Sequence, residues 1–110
     1  MRQGDSAYLR HILDAVSRID EYTEGMKRED FMSSNLHQDA VIRQVEVVGE
    51  AARKVSEETR ERHTEVPWKD MAGIRDKLIH GYFGVDLDAV WDTVTEDIPR
   101  LKAMIQALLG

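Results

Sequence analysis

At 110 residues, 42% apolar and 33% charged, the chain is the size of one domain with one core, and its formal charge of −6 argues against a surface that coats nucleic acid. The absence of cysteine excludes disulfides and thiolate metal sites. The N-terminus, Met1-Arg2-Gln3-Gly4-Asp5, leads into no apolar signal core and nothing approaches a membrane span, so the expectation is a single cytoplasmic domain over residues 1–110.

Asp5-Ser6 offers an N-cap for a first helix over about residues 6–23, with Tyr8, Leu9, Ile12, Leu13, Val16 and Ile19 at helical spacing and Gly25 following its end. Residues 26–34 are short and polar, suggesting one or two helical turns, with Phe31 closing one end of the core. Asn35 is placed to cap a second long helix carrying Val41, Val45, Val48, Ala51, Ala52 and Val55. Its apolar surface between Val41 and Val48 is wider than one stripe, which suggests burial against its own bundle and against a second subunit. Gly49 sits inside this helix at a cost of about 1 kcal/mol relative to Ala, a cost that a close helix crossing would explain. Ser56 caps a polar run over residues 57–62, read as a solvated helical extension.

Pro67 suits the first turn of a third helix, with Trp68, Met71, Ile74 and Leu78 as its apolar stripe and Gly81 just past its end. Asp86 caps a fourth, lined by Leu87, Val90, Trp91, Val94, Ile98, Leu101, Ile105 and Leu108, which Pro99 is expected to kink or split. No stretch shows strand alternation. The pattern predicts an all-α, antiparallel up-and-down bundle of four long helices plus short helical segments.

The chemistry is narrowed by what is missing. A carboxylate metal bundle would show Glu-x-x-His pairs, yet the residues three before the histidines are Tyr8, Ser34, Arg60 and Lys77. No metal or cofactor is expected, and there is no Gly-rich phosphate loop, nucleophilic cysteine or Gly-x-Ser-x-Gly turn. What remains is the stretch from Ile74 to Tyr82. A helix ending at Gly81 places His80 in its last turn, where the negative end of the dipole favours an imidazolium. A permanently charged Arg75 beside a histidine that titrates near neutrality suits work on a phosphate.

On spacing alone a plainer reading is commoner: basic residues at a helix end that satisfy its last carbonyls. Five residues correspond to about 140° of rotation, so Arg75 and His80 do not share a ridge, although long side chains converge more easily when a second copy lies across a two-fold axis. Asp76, four before His80, is placed either to orient that ring or to pair with a surface cation such as Lys77. Glu46 and Glu50 share one face of the second long helix, and either contact the cationic cluster or are solvated.

The order Arg75-x-x-x-x-His80-x-Tyr82 resembles the Arg-x4-His-x-Tyr signature of HEPN-domain toxins of the HepT type. Asp30-Phe31, Gln38-Asp39-Ala40-Val41, Val48-Gly49-Glu50-Ala51-Ala52, Val66-Pro67-Trp68 and Gly81-Tyr82-Phe83 resemble the same family in the same order, over essentially the whole chain. The resemblance implies a HEPN bundle that dimerises, and a metal-independent endoribonuclease acting on RNA, not DNA, as the toxin of a type VII toxin–antitoxin system. It implies Arg75 and His80 as catalytic residues with Asp76 in support, and an MntA-type nucleotidyltransferase antitoxin that transfers AMP to Tyr82. Two other readings stay open. One is a non-catalytic module that presents a nucleotide or substrate to a nucleotidyltransferase, which fits the acidic charge better. The other is a dimeric interaction bundle with no site.

Overall fold

A computed structural model of the chain describes residues 3–80 and 84–110, apart from the side chains of Gln3 and His80. The fold is all-α with one short ribbon. In chain order the elements are α1 (Gln3–Thr23), α2 (Arg28–Met32), α3 (Asn35–Lys54), α4 (Glu57–Arg62), α5 (Trp68–Ala72), α6 (Ile74–Leu78), β1 (Ile79–His80), β2 (Gly84–Val85), α7 (Leu87–Asp92), a π-helical turn (Thr93–Asp97) and α8 (Ile98–Leu109). Among the described residues no helix is long and apolar enough to cross a membrane.

The apolar periodicity of α1 becomes burial: Leu9, Ile12, Val16 and Ile19 pack on Val41, Val45, Val48 and Ala52 of α3 in the core. α8 covers another side of α1, contributing Leu101 and Ile105, while α5 and α6 lie on α3. The two long helices run antiparallel, because the start of α1 meets the end of α3 at Asp5. The Asp5 carboxylate accepts hydrogen bonds from Ser56 N at 2.9 Å, Ser56 Oγ at 2.6 Å and Thr59 Oγ1 at 2.6 Å. Asp5 is therefore buried within α1 and ties it to the start of α4, where the sequence pattern suggests a cap ahead of the first helix. Ser56 caps α4 as expected, accepting from Thr59 N.

Phe31 is fully buried, with its ring centroid 5.3 Å from that of Trp91. Gln38 Nε2 donates to the carbonyls of Phe31 and Met32 at 2.9 and 3.1 Å, so the short α2 is pinned across the end of α3. Ser34, one residue earlier than anticipated, caps α3.

The third element differs most. The stripe Trp68, Met71, Ile74 and Leu78 is buried as anticipated, but Gly73 divides it into two five-residue helices. The second ends at Leu78 and not at Gly81. Ile79 is extended (φ −115°, ψ 107°), and Asp86 N donates to the Leu78 carbonyl at 2.8 Å, so the ribbon and not a glycine cap satisfies the helix end. In that ribbon Ile79 pairs with Val85 and His80 with Gly84. His80 is thus on a strand. The dipole argument for its imidazolium and its helical i, i+4 relation to Asp76 both fall away. Gly81, Tyr82 and Phe83 lie outside the described residues.

The fourth element is helical from Leu87 to Leu109, with Asp86 accepting from Ala89 N at its start. Pro99 does not split it. The missing proline donor is absorbed by the five-residue π turn just before it, closed by Ile98 N donating to the Thr93 carbonyl. Thr95 Oγ1 donates to the Trp91 carbonyl at 3.0 Å within that turn.

Gly49 marks the crossing of α3 with α5 and α6. A Cβ there would lie 3.1 Å from Met71 O and 3.3 Å from Ile74 Cγ2. Leucine is a better helix former than glycine, so propensity alone would raise stability in Gly49→Leu. The crossing predicts the opposite, a loss of about 1–3 kcal/mol from overpacking. It reads out as a lower urea midpoint at unchanged m, and a variant as stable as the parent or more so contradicts the crossing.

Candidate functional site

Where α6 crosses α3, Arg75 of the motif meets a charged face of the long helix. Arg75 is the second residue of α6, one after the buried Ile74, so its side chain leaves the core at the crossing and is exposed. Its Nε donates to Glu46 Oε2 on α3 at 3.1 Å. Among the described residues no other hydrogen bond engages the guanidinium, leaving its two terminal nitrogens available. Both partners are partly exposed, and such pairs contribute about 0.2–1 kcal/mol, too little to explain the fold. The consequence of the pairing is orientation.

Around this pair Arg43, Glu46, Gly49, Glu50 and Arg53 of α3, with Ala72 and Arg75, line an open cleft of about 260 Å³. The four charged residues of α3 follow a 3-4-3 spacing, which keeps them on one helical face. Gly49 lies among them with no side chain, and this is what lets α5 and α6 close the other wall. Arg43 and Arg53 are exposed and, among the described residues, form no ion pair.

Asp76 is exposed in α6 and makes no ion pair with another described residue. Of His80 only the backbone is placed, four residues past Asp76 in β1, and Tyr82 falls outside the described residues. Among the described residues no three His, Asp or Glu side chains are grouped to hold a metal ion. A larger depression of about 660 Å³ between α5, α6 and α8 is lined by apolar side chains such as Met71, Ile74 and Leu101 and by both cations and acids, among them Lys69, Lys77, Arg100, Asp70 and Asp97. Arg75 is not among its lining residues, so the smaller cleft is the one that presents the motif arginine.

Arg75 is legible from its motif. Glu46 is visible in the sequence only as one of two acids sharing a face with two possible fates, and the structure resolves its fate as pairing with Arg75. Arg43 and Arg53 belong to no motif. The signal that would find them is the 3-4-3 recurrence of charge on one face of α3.

The model of the family described as ribonuclease HepT-like matches residues 12–108. The chain is 44% identical over 108 residues to the "Probable ribonuclease HepT" of Thermococcus cleftensis, covering 98% of each protein. It is 41% identical over 102 residues to a "Putative RNase" of Caldanaerobacter subterraneus subsp. tengcongensis, covering 93% of this chain and 91% of that relative. A "Gamma-glutamylcyclotransferase and putative RNase" of Methanocaldococcus jannaschii is 45% identical over 109 residues, which are 99% of this chain and 49% of the relative, so the chain spans about half of that protein. No solved structure matches the chain. With a family match running from the middle of α1 to the end of α8, on an all-α bundle, the chain belongs to the ribonuclease HepT-like family.

Proposed function

We propose that the chain is a metal-independent endoribonuclease, the toxin of a type VII toxin–antitoxin pair, acting in the cytoplasm as a homodimer. The observation that carries this reading is Arg75 in a chain of this family: a fixed cation at the rim of an open cleft, held through Nε, with its terminal nitrogens unengaged by any described residue. A guanidinium so presented suits a fork onto two phosphate oxygens.

The reaction follows from RNA itself. The 2′-oxygen attacks the neighbouring phosphorus as its proton is removed. A 2′ O–P bond forms, the P–O5′ bond breaks, and the departing 5′-oxygen takes a proton. The products are a 2′,3′-cyclic phosphate and a free 5′-hydroxyl. His80 serves as general base or acid, and Arg75 binds the non-bridging oxygens as charge builds on them. In a dimer the base and the acid come from two subunits. Asp76 plays a supporting part as the polar residue after Arg75.

Purified protein should cleave RNA fully in EDTA and leave 2′,3′-cyclic ends. His80→Ala should lower the rate by about 10²–10⁴-fold with the fold retained. Strict Mg²⁺ dependence, or undiminished cleavage by His80→Ala, contradicts the mechanism. Nucleotide binding without cleavage by the parent protein would favour the non-catalytic module, which the overall charge of −6 suits better.

Control falls to Tyr82, two residues past His80, as the acceptor of AMP from an MntA-type nucleotidyltransferase antitoxin. The added nucleotide brings bulk and negative charge beside Arg75 and His80 and competes with RNA phosphate. Protein coexpressed with the antitoxin should carry AMP on Tyr82 by mass spectrometry. A Tyr82→Phe variant that is still neutralised contradicts this assignment.

A further inference from the structure

An acidic chain that works on a polyanion needs a place where its charge reverses locally. The face of α3 supplies one. Arg43 and Arg53 stand ten residues apart, about 15 Å along a helix that rises 1.5 Å per residue, with Arg75 reaching the face between them through Glu46. Three arginines against two glutamates leave this cleft positive within a chain of net charge −6. Among the described residues its lining contains no aromatic side chain.

We infer that the Arg43–Glu46–Arg53 face of α3 is the track on which the RNA backbone lies to either side of the phosphate held by Arg75, with Glu46 positioning Arg75. This rests on the ribonuclease reading above and extends it to how substrate is held. Arg43 and Arg53 bind flanking phosphates, whose recognition carries no base information. Binding through this face is therefore tolerant of sequence and steeply dependent on salt. Glu46 occupies the Nε edge of the Arg75 guanidinium and leaves the opposite edge for the substrate. Its own negative charge weakens substrate binding while fixing the geometry, so its removal separates the two effects.

The test uses the whole protein, a 2′-O-methyl RNA that binds without being cut, and an ordinary RNA of the same sequence. Arg43→Gln and Arg53→Gln should each weaken binding of the 2′-O-methyl RNA about tenfold, as expected when one charge-assisted hydrogen bond to phosphate is removed. Each should also reduce the slope of log K against log salt by about 0.7. Lys54→Gln, which removes a neighbouring charge off this face, should leave affinity within about twofold. Glu46→Ala should lower kcat with KM unchanged or lower, and Glu46→Gln, which still accepts from Nε, should recover much of kcat.

Affinity and salt slope unchanged in Arg43→Gln and Arg53→Gln, or a Lys54→Gln effect as large as theirs, overturns the track. An equal fall of kcat in Glu46→Ala and Glu46→Gln overturns the positioning assignment. Binding that depends on Arg43 and Arg53, in a parent protein that does not cut, keeps the track and overturns the ribonuclease reading instead.

Discussion

The close approach at Gly49 is the constraint on which the functional end of the molecule depends. The carbonyl of Met71 and the side chain of Ile74 come so near α3 that even one added carbon would sit 3.1 Å from the former. That approach sets the height of α6 above α3, and hence whether Arg75 Nε can reach Glu46. The cost of a glycine inside a 20-residue helix is offset by the packing it allows, where Met71, Ile74 and Leu78 are buried in the common core. Stability and site geometry are therefore coupled through one backbone position that carries no side chain.

Much of this architecture is written in local pattern. The α1 and α3 stripes, Phe31 at the core end, Ser56 and Asp86 as caps, and the crossing at Gly49 all follow from period, capping chemistry and propensity. The differences arise where a partner or an accommodation outside the local pattern replaces the expected cap or break. Asp5 looks like a cap because its neighbours are polar, but its acceptor role is filled by Ser56 and Thr59, more than fifty residues away. Gly81 looks like a helix end, but the Leu78 carbonyl finds Asp86 N across the ribbon, and the helix stops earlier. Pro99 suggests a kink or a split; the helix is not split but runs on through a π turn one step upstream, an accommodation that no propensity scale encodes. In the site, the motif singles out Arg75. It gives no sign that Glu46, 29 residues earlier, holds the guanidinium.

The balance of charge is the strongest objection to RNA as a substrate. It weakens once charge is read by place and not by total. Acidic side chains are spread over the molecule, several paired locally, as Asp88 and Asp92 are with Arg28 and Asp20 is with Lys102. The α3 face instead collects arginines. A cleft with a net positive charge draws in an anionic substrate locally, whatever the sum over the surface. Net repulsion elsewhere would limit the chain to brief encounters with RNA, consistent with a cutting enzyme more than with a coat.

The most direct measurement follows the arginine Nε–Hε resonances of the protein by NMR during titration with a 2′-O-methyl RNA. Arg75, Arg43 and Arg53 should shift together and saturate at one concentration, while arginines off this face, such as Arg62, stay in place. Shifts spread evenly over all arginines, or confined to residues away from α3 and α6, would contradict the α3 track.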